Sequence, residues 1–385
     1  MASIDPAAPT PLSRTQRARE YYERNEHKIA VGFFVGGFLF DLVTLDAIDS
    51  WVTVGQQIVY LIIILAALIQ MFFEELRPPA EMEKAFFLRR WYHQYRTAII
   101  HFFFGNLLNL YTIFFFKSSS LLVSFAFMMF MVVLLILNES ARFKALGLPF
   151  KFGLLSLCLF SFSNYIVPTF LGSIGTMQFL FSMLLGALPL VAVGWWVQTY
   201  RPDAFEPAKN KILLPMGTVL IAFLALYIFR LVPPVPLSIR FTGVYHDIKV
   251  TADPTTKQRV YTLSHERPWW KFWHNGDQHF LAQTNDKIII FFRIFSPAKF
   301  QDQVQVKWFW YDNQRGWTLQ DSIPIKIHGG RLDGYRGYAE KKNYQPGGWK
   351  VQIETADERE IGRVYFDLEI APQIPRTFET VEFRD

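Results

Sequence analysis

The sequence predicts a membrane α-helical bundle of seven transmembrane helices followed by an all-β, immunoglobulin-like antiparallel sandwich. Three observations carry this. Seven apolar runs lie between Ile29 and Leu231, each close to the ~20 residues that span ~30 Å of hydrocarbon. The Lys and Arg residues beside them fall almost entirely in alternate loops. Beyond Pro236 the apolar period changes from helical to alternating.

Residues 1–28 read as a cytoplasmic tail in which Ser13–Lys28 forms a polar helix opened by a Ser13/Gln16 capping box. Residues 29–231 hold the spans: Ile29–Ile48, Val54–Phe73, Thr97–Phe116, Leu121–Leu137, Phe152–Leu171, Thr176–Thr199 and Ile212–Leu231. The polar stretch before the first span and that span's full length exclude a cleavable secretory signal and make it a signal anchor. Arg14, Arg17, Arg19, Arg24 and Lys28 precede it, and Arg77, Lys84, Arg89, Arg90 and Arg96 follow the second. Arg142, Lys144 and Lys151 follow the fourth span; Arg201, Lys209 and Lys211 follow the sixth. Lys117 alone marks the other loops, so the N-terminus is placed in the cytoplasm and everything after Pro233 outside. Between spans two and three, Leu88, Trp91, Tyr92 and Tyr95 share one face of a helix over Ala80–Tyr95 that is expected at the headgroup level.

The net charge of +6 belongs to these loops, because Leu237–Asp385 carries 21 Lys/Arg against 19 Asp/Glu. The basic balance is therefore a topology signal, and no nucleic-acid footprint is read from it. Cys158 lies inside the fifth span, so the exported part holds no disulfide.

Residues 232–236, Val-Pro-Pro-Val-Pro, form a stiff linker to the domain at 237–385. Strands are expected at Leu237–Val250, Arg259–Leu263, Lys287–Phe295, Val304–Tyr311, Ser322–Ile327, Tyr335–Lys341, Trp349–Thr355 and Gly362–Ile370, with a loose tail after Pro372 and Pro375. In Val304–Tyr311 one face carries Val304, Val306, Trp308 and Trp310. Lys287–Phe295 is apolar on both faces apart from Arg293, as in a central strand.

The closing hairpin, Gly347-Gly348-Trp349-Lys350-Val351-Gln352-Ile353-Glu354-Thr355 with Ile361-Gly362-Arg363-Val364-Tyr365-Phe366-Asp367-Leu368, resembles the end of DUF2914, a bacterial domain of unknown function that often follows a multi-pass membrane region. The resemblance implies a bacterial inner-membrane protein with a periplasmic β domain. It implies no activity and no site residues.

Two places hold candidate chemistry. Asp41, Asn109 and Asn164 fall at similar depth, about 18 Å into their spans, and His101 shares a stripe with Gly105 and Asn109. This intramembrane layer reads either as interhelical glue or as a proton or solute path. Asp46 lies nearer the outer headgroups, and Gly32 and Gly36 give the first span a close-packing face.

The second is Arg267-Pro268-Trp269-Trp270-Lys271-Phe272-Trp273-His274-Asn275-Gly276-Asp277. Trp269, Trp270 and Trp273 offer a platform for a sugar ring with Asn275 and Asp277 as hydroxyl partners, a wedge into the outer headgroups, or a folded-in cap on the sandwich. His265, His274 and His279 with Asp277 match no zinc spacing, and neither metal nor cofactor is expected. No catalytic motif is present, the Gly329-Gly330-Arg331-Leu332-Asp333-Gly334 turn lacks a nucleotide-binding context, and the chain reads as non-enzymatic. The expected function is envelope binding or sensing, with a transporter or channel-like unit as the alternative. The expected partners are the lipid bilayer and an envelope glycan or a membrane or periplasmic protein.

Overall fold

The computed structural model describes residues 51–76, 87–118, 125–138, 140–254, 258–297, 300–330 and 334–384. Asp41, Asp46, the Ser13–Lys28 helix and the whole first span lie outside the described residues.

The helices are α1 Trp51–Glu75, α2 Phe87–Lys117, α3 Phe125–Asn138, α4 Ala141–Lys144, α5 Leu148–Leu171, α6 Thr176–Tyr200 and α7 Leu214–Ile228. Short turns from Pro202 lead straight into α7, so that Pro202–Ile228 counts as one 27-residue span. Five described helices are long and apolar enough to cross a membrane, matching the second, third, fifth, sixth and seventh runs. At the fourth run the 14 described residues of α3 rise about 21 Å, and Leu121–Ser124 of that run lie outside the described residues.

Among the described residues, Arg96, Arg201 and Lys211, which flank the second and sixth runs, meet α1 at one end of these helices. There Arg96 pairs with Glu74, Lys211 reaches Glu75 at 2.5 Å, and the Arg201 guanidinium lies over the Phe73 ring. The opposite end carries the β region. Gly172 closes α5 in the left-handed conformation, φ 70°, which glycine adopts without steric cost. Its carbonyl accepts the Gln301 N–H at 2.8 Å, while the Ile174 N–H donates to the Asp302 carboxylate at 2.7 Å. At the end of α7 the Tyr227 hydroxyl donates to Asp357 at 2.7 Å and carries the Arg359 guanidinium over its ring.

Residues 232–238, which include the proline-rich segment expected as a stiff linker, are buried. Proline has no N–H to leave unsatisfied, and this suits a buried irregular stretch.

Eleven strands follow among the described residues: β1 Ser238–Tyr245, β2 Asp247–Ala252, β3 Arg259–His265, β4 His279–Ala282, β5 Ile288–Phe295, β6 Gln301–Asp312, β7 Gly316–His328, β8 Tyr335–Lys341, β9 Gly347–Thr355, β10 Glu360–Ile370 and β11 Glu379–Arg384. They form three sheets, ordered β1-β5-β8, β4-β10-β9-β6-β7 and β11-β3-β2.

Three expectations are corrected here. The run Leu237–Val250 breaks at His246 into β1 and β2, because the chain leaves one sheet for another. The pairing is not wholly antiparallel, since β4 lies parallel to β10. The tail is not loose: β11 pairs with β3, and the Gln283 amide donates to the Pro372 and Ile374 carbonyls at 3.0 Å each.

The three sheets explain why β5 is apolar on both faces. Ile288, Ile290, Phe292 and Ile294 enter the main core with Val304, Val306, Trp308, Trp349, Val351 and Phe366. Ile289 and Phe291 enter a second core with Tyr245, Tyr261 and Leu263. β5 is thus the middle layer, where alternation gives no wet face.

Candidate functional site

The aromatic segment bridges β3 and β4. Its root is fixed by backbone: Asp277 N–H donates to Val244 O at 2.8 Å and Val244 N–H to Asn275 O at 3.3 Å. Gly276 sits between them at φ 73°, and a Cβ there would meet Val244 O at 2.0 Å, so this bridge requires glycine. Two turns compact the segment, Lys271 N–H to Pro268 O and His274 N–H to Lys271 O, each 3.0 Å. The Arg267 guanidinium spans them from beneath, donating to Lys271 O at 3.0 Å and to His274 O.

The rings therefore stand outward. Trp269 is 80% exposed, Phe272 79%, Trp273 60% and Trp270 51%, which overturns the reading of a folded-in cap. Trp270 and Trp273 meet edge-on with centroids 6.2 Å apart, Phe272 and Trp273 at 5.1 Å, and the Lys271 ammonium rests 5.2 Å from the Trp270 centroid. Exposed aromatic surface this dense, locked by a half-buried clamp, is unusual for a loop whose only role is to connect strands. Beside it opens a pocket of about 230 Å³ whose lining includes the charged or polar Glu266, Arg267, Lys271, His274, Asp277 and His279.

Asn275 is exposed at the rim, while Asp277 turns inward and is 4% exposed. The Asp277 carboxylate accepts the Glu266 N–H at 2.8 Å, and burial pushes its pKa up to about 6 against that bond. His246 faces it, with Nε2 3.4 Å from Asp277 and 3.7 Å from Glu266 and Nδ1 3.8 Å from Asp286. Burial first and the Arg376 charge second lower the His246 pKa to about 4. Arg376 grips Asp286 at 2.8 and 3.0 Å and approaches Glu266 at 3.4 Å. No motif spacing marks His246, Glu266, Asp286 or Arg376. The only signal for them was a His-Asp interruption in an otherwise alternating run.

His265 turns toward Tyr245 and His279 toward Glu369, 3.9 Å away. Among the described residues no three His, Cys, Asp or Glu side chains converge as metal ligands.

Within the helices, His101 and Asn138 bond each other twice: Nδ1 lies 2.7 Å from Asn138 Oδ1, and the Asn138 amide donates to the His101 carbonyl at 2.9 Å. This ties the middle of α2 to the end of α3, a pairing the depth arithmetic missed. Asn164 is buried with its Nδ2 unpartnered, and Asn109 is half-buried on α2.

No curated protein matches the sequence. Among solved structures, an immunoglobulin-like protein from Pseudomonas aeruginosa is similar over 35% of this chain and 98% of its own, at 8% identity and TM-score 0.19. A β-glucosidase from Listeria innocua in complex with gluconolactone is similar over 29% of this chain, at 11% identity and TM-score 0.19. This chain spans only 16% of that glucosidase's length. An alkylpurine DNA glycosylase from Pseudomonas fluorescens aligns over 63% of this chain and 52% of its own, at 8% identity and TM-score 0.20. Likeness at this level carries no argument about function. Residues 301–368, running from β6 to β10 and including the closing hairpin, match the family model described as a protein of unknown function, DUF2914.

Proposed function

We propose that this is a non-enzymatic binding protein of the bacterial envelope, anchored in the inner membrane by its helices, whose periplasmic β region captures a glycan on the Trp269–Trp273 platform. One observation carries the reading: the Arg267 clamp and the Gly276 bridge hold four aromatic rings out of the core beside a pocket with His274 and His279 on its wall. Aromatic faces stack on the C–H faces of sugars, and pocket groups such as His274 and His279 suit hydroxyls. Preorganisation limits the ordering cost of binding.

A wedge into the outer headgroups is disfavoured by distance. The Asp357–Arg359 turn touches the end of α7, and β10 starts there at Glu360. His279 pairs with Asp367, seven residues further, so the root of the loop lies about 23 Å along the strand from the helices. The compact turns keep the rings near that root.

The mutual bonding of His101 and Asn138 favours helix cohesion over a solute path. The test is a glycan-array scan of the full chain in detergent, against the same chain with Trp269, Trp270 and Trp273 changed to Ala. The reading requires a hit lost in the triple variant, with about 1–3 kcal/mol of stacking removed per sugar by analogy with base stacking on aromatic platforms. Binding that survives the change would refute it.

A further inference from the structure

His246 sits where five parts of the β region converge. It follows β1, stacks on Phe280 of β4 at 3.9 Å, and meets Phe378 of the C-terminal segment at 5.3 Å. Glu266 and Asp277, which face its Nε2, are the two ends of the aromatic segment. Asp286, facing Nδ1, lies between β4 and β5, and Arg376 comes from the C-terminal segment. His265 of β3 and Arg267 of the clamp complete the charged surroundings, and the Tyr344 hydroxyl lies beyond, on the Asp286 carbonyl at 3.0 Å. The imidazole and the Asp277 carboxylate are each 3% exposed in their side chains, yet both ring nitrogens lack a hydrogen-bond partner. A neutral imidazole carries one N–H for its two nitrogens, so with that proton on Nδ1 toward Asp286 the 3.4 Å contact of Nε2 with the buried Asp277 carboxylate lacks the proton of a strong bond.

We propose that the His246–Asp277 pair is a proton-operated latch on the aromatic loop. Acidification on the β side of the membrane places one proton between Nε2 and the carboxylate. The open contact becomes a hydrogen bond that fastens the loop's C-terminal root to the turn between β1 and β2. At neutral pH the imidazole is uncharged, three carboxylates face one another across it with Arg376 as their main counter-charge, and the root opens more readily. The first proton enters near pH 6, where the Asp277 carboxyl titrates, and a second enters only near pH 4. Because the pair titrates as a unit, either atom can carry the shared proton. The inference rests on the loop being the binding element, since it supplies the regulation of that site.

The latch is testable without a ligand. Hydrogen–deuterium exchange of the peptide covering 266–278, in the full chain in micelles and corrected for intrinsic rates, should slow about tenfold or more from pH 7.5 to pH 5, the factor of one pKa unit. Asp277→Asn, which keeps the partner uncharged, should give slow exchange at both pH values. His246→Leu, which cannot bond, should give fast exchange at both. Wild-type exchange that does not change with pH, or an Asp277→Asn variant that keeps the wild-type response, overturns the latch. If His246→Leu fails to fold, the Asp277→Asn comparison decides alone. A glycan-array failure alongside a pH response of the loop would remove the platform and leave the latch, so the two ideas fail separately.

Discussion

At the residue scale, the exposure of Trp269, Trp270 and Trp273 decides what their loss costs the fold. Truncating one buried Trp costs on the order of 3–5 kcal/mol, but surface changes usually stay within about 0.5 kcal/mol each. The triple Ala variant should therefore melt within a few degrees of wild type, as a thermal scan in detergent would show. The His246–Asp277 pair gives a second prediction. His246 has a folded pKa near 4, below its ordinary 6.5, so it contributes stability above pH 6.5 that is lost as pH falls toward 4. Asp277, at about 6 instead of 3.8, contributes in the opposite sense, adding stability as pH falls below 6. The two offset each other in wild type between pH 4 and 6. Asp277→Asn removes the second contribution, so its denaturant midpoint should drop relative to wild type from pH 6.5 to pH 4. A curve parallel to wild type would show that the two groups do not oppose each other.

At the element scale, the C-terminal strand is the sharpest gap between pattern and fold. Phe383 stacks on Phe291 with centroids 5.1 Å apart and touches Phe241 at 4.8 Å, so β11 closes the second core. Phe383→Ala is expected to cost about 1–3 kcal/mol in a melt of the full chain, less than a fully buried Phe because this ring keeps some exposure. Strands such as Tyr335–Lys341 and Val304–Tyr311 were legible because one face packs and the other does not. Glu379–Arg384 was not, because three of its six residues are charged and the strand sits at a sheet edge, where charge is tolerated. β4 has only four residues, too few for any period to be read. The aromatic loop was visible as composition, but its outward aim was not. That aim depends on Arg267 and on Gly276 meeting Val244, contacts without a sequence period.

At the scale of the whole molecule, charge and contact place the two ends of the helices apart. Glu74 with Arg96 and Glu75 with Lys211 pair at one end, while Gly172, Ile174, Tyr227 and Arg230 meet the β region at the other. Loop basicity was readable from sequence because it acts during insertion. The docking was not, since it hangs on a helix-ending glycine and a carboxylate 128 residues away. On the proposed orientation, in which positive loops stay in the cytoplasm, the β region is expected outside. Alkaline phosphatase, active only when exported, tests this when fused after Asp385 and separately after Arg90. Activity is expected at the first site and none at the second, because Arg90 stands in the basic N-terminal part of α2, ahead of the span that begins at Tyr95. The reverse pattern would turn the molecule over and put the Trp269–Trp273 platform in the cytoplasm. An envelope glycan could not reach it there, so the orientation must hold before the array result has meaning.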